Sequence, residues 1–397
     1  MTSPRNSASR SWVSAALAMF VVAWGANMFA ALLHVYRASL SSVEVAALFG
    51  AYALGLMPAL LLLAPVSDRW GRRVVVIPAL LLSAVGSGIL LLAGDSFMGL
   101  LLGRILVGIA AGATFGPGTA WVKELSDRAG AQSSGVTRAA VALSAGFAAG
   151  PLIAGMTAQW LPGPESTSYI VHLVLVALLL PFMWKAPETM TSPRGGSDEA
   201  TSGIGDALRS GVFLKVILPT APWVFGAATT PFAVLPGLVG LGEFRVVASG
   251  IAAAVTLGVG VLVQPWARGL AARAPAVPYR VGLGALVAGM LMAAATAHTH
   301  YAVLLIPTSI TLGGAYGLLL VSGLRCVEAL ASSRDLATLT SIFYVLTYIG
   351  FAFPLVVSSL TPVLPAPQLL VAAALVGAAG SVGTFIVWPA RSVRAVT

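Results

Sequence analysis

The chain has 397 residues, of which 58% are hydrophobic and 9% charged, with a formal net charge of +9 and a mean hydropathy of +0.94. A soluble domain carries about 25% charged residues, so these values exclude a soluble globular protein and point to an integral membrane protein. The positive balance does not imply nucleic acid, because the basic residues fall at the ends of apolar runs, where they set orientation.

A spanning helix needs about 20 apolar residues. The sequence predicts twelve, at 12–34, 43–65, 74–93, 97–121, 137–158, 169–185, 212–236, 247–267, 281–297, 301–324, 337–360 and 367–388. Strand-like alternation is absent, which argues against a barrel. The first apolar run is longer than a signal-peptide core and shows no small-residue cleavage site, so it is expected to be an uncleaved first helix. Of 22 basic residues, 19 fall on one side of this map. Arg104 falls within a helix, and Arg37 and Arg245 fall on the opposite side. Positive charge in short loops is retained in the cytoplasm. Both termini are therefore expected to be cytoplasmic, with Trp12, Trp121, Trp160, Trp184 and Trp388 as an interfacial belt.

Between the sixth and seventh runs, Gly195 to Gly203 is polar and glycine-rich and reads as a flexible linker. The expected organisation is a six-helix bundle at 1–186, a cytoplasmic linker at 187–210 and a second six-helix bundle at 211–397. A weak internal repeat supports two halves. Pro65 and Pro265 are 200 residues apart, each before a basic stretch, and Gly146-Phe-Ala and Gly350-Phe-Ala open similar runs. At the position of Asp68 the second half carries Arg268.

The stretch Ala64-Pro-Val-Ser-Asp-Arg-Trp-Gly-Arg-Arg73 links the second and third runs. Asp68 can accept charge-assisted hydrogen bonds from the arginines, and Gly71 permits a tight turn. A topogenic basic loop would account for the charges alone. The spacing, however, resembles the loop signature G-x-x-x-D-x-x-G-R-K/R of the major facilitator superfamily at Asp68, Gly71, Arg72 and Arg73, with Ala64 in place of the first glycine. Arg104, Gly108 and Gly112 resemble the family's helix 4 pattern, R-x-x-x-G-x-x-x-G. Gly146, Gly150, Pro151 and Gly155 resemble its helix 5 antiporter signature, with Ala154 replacing a glycine. The resemblance is to the drug/proton antiporter-like, twelve-helix type. It implies an all-α membrane fold of two six-helix bundles with pseudo-two-fold symmetry, and alternating access.

The resemblance further implies a cytoplasmic gate at Asp68, Arg69, Gly71, Arg72 and Arg73, and links Arg104 to proton coupling. An arginine within a helix costs about 2.5–3.5 kcal/mol on insertion scales, so Arg104 is expected to face the bundle interior or to snorkel from an outer helix end. The coupling candidates are Arg104, Asp68, Glu44 and His34, because no carboxylate falls in the middle of a predicted helix. Glycines let helices approach and Pro151 kinks its helix, a combination that suits either a moving hinge or a packing motif. Polar and aromatic residues at mid-depth give a candidate substrate cavity: Trp24, Asn27, Tyr52, Trp223, Tyr316, Tyr344 and Tyr348. Pro219, Pro222 and Pro231 are expected to open the seventh helix locally.

No metal site and no cofactor are expected: Cys326 is the lone cysteine, and His298 and His300 read as solvated loop residues beside the distant His34 and His172. Without paired carboxylates, a histidine cluster or a nucleophile beside a base, an enzyme is not expected. The expected function is proton-coupled export of a small organic molecule across the plasma membrane by a monomer. The alternative is an importer or facilitator of a metabolite.

Overall fold

The computed structural model describes residues 11–130, 135–190, 204–274, 276–331 and 336–387. These are helical almost throughout, with no strand among them. Twelve helices follow in order. In the first half they are α1 (Ser11–Tyr36, interrupted at Met28), α2 (Ser42–Trp70), α3 (Arg72–Ala93), α4 (Phe97–Arg128), α5 (Gly135–Trp160) and α6 (Thr167–Lys185). A short helix, Ile204–Arg209, precedes α7, which runs through Phe213–Ile217, Leu218–Thr229, Thr230–Val234 and Leu235–Gly237 as π, α, π and 3-10 turns. Next come α8 (Arg245–Arg273), α9 (Ala276–Thr299) and α10 (Leu305–Leu330). The last two are α11 (Leu336–Tyr348, Ile349–Ala352 and Phe353–Leu360) and α12 (Ala366–Val387). Ten helices among the described residues are long and apolar enough to cross a bilayer.

The local chemistry explains the boundaries. At α2 the Ser41 hydroxyl accepts from Glu44 N at 3.2 Å while the Glu44 carboxylate accepts from Ser41 N at 2.9 Å, a reciprocal cap. The prolines of α7 remove backbone donors, and the helix responds with π and 3-10 turns. The link expected between α2 and α3 is itself helical: Pro65 lies inside α2, and Gly71 alone separates the two helices. Gly71 has φ 110°, a backbone value that favours glycine. The reading of Ala64–Arg73 as a loop is thus corrected to a helix–glycine–helix corner. The segment 195–203 read as a linker lies outside the described residues, as do Arg5, Arg10, Arg194, Arg334, Trp388, Arg391 and Arg394.

The chain gathers into two compact units, 1–197 with 242–254, and 198–241 with 255–397. Unit 1 packs α4 against α2 and α3, α1 against α4 and α5, and α3 against α6. Unit 2 repeats four of these pairings six helices later: α9 with α10, α7 with α10 and α11, and α9 with α12. The repeat extends to single atoms. A Cβ on Gly108 or Gly112 of α4 would strike the carbonyl oxygens of Tyr52 and Leu56 in α2, while one on Gly313 or Gly317 of α10 would strike those of Thr256 and Gly260 in α8. Gly146 of α5 lies against the Phe20 carbonyl, and Gly350 of α11 against the Pro222 carbonyl. Small residues at such crossings let backbones meet, which is how helices associate in lipid.

Candidate functional site

The charged cluster grows from the Gly71 corner. Breaking the helix there exposes the first backbone donors of α3. The Glu188 carboxylate, just beyond α6, takes both: Arg72 N donates to one oxygen at 3.0 Å and Arg73 N to the other at 2.9 Å. Thr189 N and Met190 N also donate to Glu188, at 2.7 and 3.1 Å. Burial pushes the Glu188 carboxyl up, but these four backbone donors outweigh it and hold it below the ordinary carboxylate range. A Cβ on Gly71 would lie 2.6 Å from Glu188 Oε2, so glycine is required there by space as well as by φ.

Arg72 is the hub. Its buried guanidinium donates to Asp68 Oδ1 at 2.5 Å and Ser67 Oγ at 3.1 Å on α2, and to Glu124 Oε1 at 2.9 Å on α4. Thr189 donates to the second Glu124 oxygen. Arg128 donates to the carbonyls of Glu188 and Thr189 at 3.0 and 2.6 Å, Trp121 Nε1 to Pro187 O at 3.0 Å, and Arg73 to Trp184 O at 2.9 Å. Of the expected gate residues, Asp68, Gly71, Arg72 and Arg73 thus form one network. Arg69 is exposed outside it among these bonds. Trp121 is corrected from an interfacial residue to one that is 0% exposed, because α4 continues to Arg128 and carries it into this cluster. Trp160 and Trp184 are exposed as a belt requires.

Arg104 is the second feature. It is 1% exposed and faces the interior of unit 1. It donates to Ala26 O at 3.1 Å, Leu48 O at 3.2 Å and Phe49 O at 3.3 Å, and lies over the rings of Phe29 and Tyr52 at 4.5 and 5.0 Å. The planar guanidinium suits this, since five donors in one fork can reach two helices at once. Its bonds are to carbonyls of α1 and α2, and the interruption of α1 at Met28 lies two residues from Ala26.

The other expected residues are distributed over both units. In unit 1, Asn27 donates to Phe147 O of α5 at 2.9 Å, and Trp24 packs on Phe20. Gly146, Gly150 and Gly155 bring α5 onto the carbonyls of Phe20, Trp24 and Val246, and the carbonyl of Pro151 approaches Gly250. Glu44 is partly exposed in its cap. His34 Nδ1 accepts from Arg37 Nη1 at 3.2 Å, since a guanidinium only donates. In unit 2, Tyr316 and Tyr348 join Phe225 and Phe351 in one aromatic cluster, with Phe225 and Tyr348 stacked at 4.7 Å. Tyr344 lies beside Phe343, and Trp223 meets Phe353 edge-on.

Sequence reasoning missed three residues. Glu124 and Glu188 sit 52 and 116 residues from Arg72, and neither lies in a hydrophobic pattern. Their only signal was that Arg72 and Arg73 needed an acid partner beyond Asp68. His172 is fully buried, with Nδ1 2.9 Å from Ser87 Oγ and Nε2 3.1 Å from Val21 O. Because Val21 O only accepts, Nε2 carries the proton and Nδ1 accepts from Ser87. Gly25 leaves the space that the His172 ring fills.

The sequence matches the Major Facilitator Superfamily family model over residues 15–355. The chain belongs to the major facilitator superfamily. This makes it a multi-pass membrane transporter by family. Comparison with curated proteins gives no significant match. Among solved structures, the nucleoside transporter NupG superposes with a TM-score of 0.73 at 14% identity, covering 97% of this chain and 100% of that one. A peptide transporter POT gives 0.75 at 12% identity, covering 97% of each. A POT family transporter in complex with 5-aminolevulinic acid gives 0.74 at 13% identity, covering 96% of this chain and 95% of that one. At these identities the likeness is one of fold.

Proposed function

We propose that this superfamily transporter is a proton-coupled exporter of a small organic molecule, a monomer in the plasma membrane with both termini cytoplasmic. The observation that carries the reading is the small-residue face of α5. Gly146, Gly150 and Gly155, with Pro151 among them, lie directly on the backbone of neighbouring segments of unit 1. Helices that meet on backbone rather than on interlocked side chains suit sliding and bending. The halves 1–186 and 211–397 alternate access. Asp68, Gly71, Arg72 and Arg73 close the cytoplasmic side, with Arg69 at their edge. Protons are the coupling ion, with Asp68, Glu44 and His34 as titratable candidates and Arg104 as modulator. Trp24, Asn27, Tyr52, Trp223, Tyr316, Tyr344 and Tyr348 contact substrate. No cofactor and no nucleic acid take part.

The test is flux in proteoliposomes holding a pH-sensitive dye, with no proton gradient at the start and a panel of lipophilic and anionic compounds added. Substrate-dependent proton flux, lost in Asp68→Asn and Arg104→Ala, is the expected result; unchanged flux in Asp68→Asn with normal membrane insertion removes the gate assignment. One observation favours a second reading, an importer or facilitator without antiport. Among the described residues every Asp and Glu lies at a helix end or in a link, which leaves no carboxylate at mid-membrane. Substrate movement without proton flux selects that reading.

A further inference from the structure

Unit 2 carries an imbalance of charge. Its described residues hold six arginines and lysines, Arg209, Lys215, Arg268, Arg273, Arg280 and Arg325, against two acids, Asp206 and Glu328. One of the six stands beside the aromatic cluster of that unit. On α8, Gly260, Gln264 and Arg268 follow one another at four-residue intervals and so share a face. A Cβ on Gly260 would strike the ring of Tyr316, which turns that face toward α10. Exposure rises along it, from buried Gly260 through half-buried Gln264 to exposed Arg268.

Arg268 Nη2 donates to Gln264 Oε1 at 3.4 Å, a long bond that engages one of the five guanidinium donors. Gln264 keeps its own amide donors. Neither acid of the unit neutralises the arginine. Glu328 is exposed in the last turn of α10 and Asp206 is exposed on the short helix before α7, and among the described residues neither makes an ion pair with Arg268. The facing group comes from α11. The charge of Arg268 acts on Tyr344, and Tyr344 acts on Tyr316, so α8, α11 and α10 bring these side chains to one place. Among the described residues neither tyrosine hydroxyl makes a hydrogen bond, and neither oxygen is sealed from the surface. Tyrosine hydroxyls within a fold ordinarily have a partner. Behind them the Tyr316 ring leans on Phe225, with centroids 5.6 Å apart.

We infer that Arg268, Gln264 and Tyr344 bind the carboxylate of an aromatic organic anion whose ring lies against Tyr316. The inference deepens the transport reading by naming the substrate class and rests on it only for the word substrate. The guanidinium fork meets a carboxylate with donors to spare. The Gln264 amide and the Tyr344 hydroxyl donate to its remaining lone pairs. The excess of cations in unit 2 draws an anion rather than a cation. The aromatic wall behind the charge favours an organic acid over an inorganic ion, because ring pairs add to the binding.

The test is binding, not flux. The full-length protein in lipid nanodiscs is titrated calorimetrically with benzoate, with neutral benzamide and with inorganic phosphate. Benzoate is expected to bind, with benzamide and phosphate each at least about tenfold weaker. Arg268→Gln is expected to weaken benzoate about tenfold and Tyr344→Phe about threefold. Arg268 is exposed, so its substitution reports on the site even if Tyr344→Phe disturbs packing. Arg273→Gln, an exposed cation five residues further along α8, is expected to leave benzoate binding unchanged. Absent benzoate binding, or binding unchanged in Arg268→Gln, overturns the site. Equal weakening in Arg273→Gln also overturns it, since surface charge alone then accounts for the anion. Phosphate as tight as benzoate overturns the aromatic class. Benzoate binding without transport of any compound leaves the site standing and removes the transport reading.

Discussion

At one level of the internal repeat, unit 1 places Arg104 and unit 2 places Ser309. Each lies four residues before a glycine that rests on a partner helix, Gly108 on α2 and Gly313 on α8. Arg104 reaches three carbonyls on two other helices, whereas Ser309 Oγ donates to Leu305 O of its own helix at 2.7 Å. The contrast recurs at the Gly71 corner. Unit 1 has a network of Asp68, Arg72, Glu124 and Glu188, while at the corresponding level of unit 2 Arg268 donates to Gln264 at 3.4 Å. Unit 2 is packed instead by the cluster of Phe225, Tyr316, Tyr348 and Phe351. The lesson is that close glycine crossings suffice to keep the shared architecture. Among the described residues the buried arginines, Arg72 and Arg104, are an addition made in one half only, and so belong to what that half does.

The comparison can be broken most severely at Arg104. Arg104→Ala removes three charge-assisted hydrogen bonds and leaves a void, and is expected to cost about 3 kcal/mol in unfolding of the purified protein. Ser309→Ala is expected to cost under about 1 kcal/mol, and Arg104→Lys not to restore the loss, because an ammonium lacks the fork. Gly108→Ala and Gly313→Ala sharpen the shared part. Each pushes a Cβ into a carbonyl, so each is expected to cost about 1–3 kcal/mol, with equal losses marking a true repeat.

A smaller effect is expected at Glu188, where Gln keeps the shape and removes the charge, at about 1 kcal/mol. The pH dependence has a definite sign. The carboxyl is held below its ordinary value in the folded protein. Its stabilisation is therefore present above the ordinary carboxylate pKa and is lost as pH falls through the lower, folded value. Melting followed from neutral to acidic pH should show a decline that Glu188→Gln flattens, and parallel curves would remove the cap. Smallest of all is Arg268→Gln, expected within about 0.5 kcal/mol by the same melting.

Much of this was legible in the sequence, and the parts that were not share a cause. The number and order of the helices followed from apolar runs, since a bilayer demands a set length. Arg104 and the glycines of α5 stood out because a cation or a glycine run in an apolar helix requires an explanation. The corner at Gly71 was read as a loop because Pro65 and the charges after it resemble a helix stop, yet a proline is tolerated where neighbouring helices satisfy the backbone. Glu188 and Glu124 were invisible because their partners lie far along the chain, and periodicity reports only on nearest turns.

One consequence of the Glu188 cap concerns the order in which the protein is made. The corner between α2 and α3 is complete only when residue 188 has left the ribosome, more than a hundred residues after Gly71. Unit 1 also draws on residues 242–254. During synthesis the first six helices can therefore insert while the donors of Arg72 and Arg73 are still served by water or lipid headgroups. The finished ion cluster then serves as a mark of completion, one that a nascent chain truncated before Glu188 cannot carry.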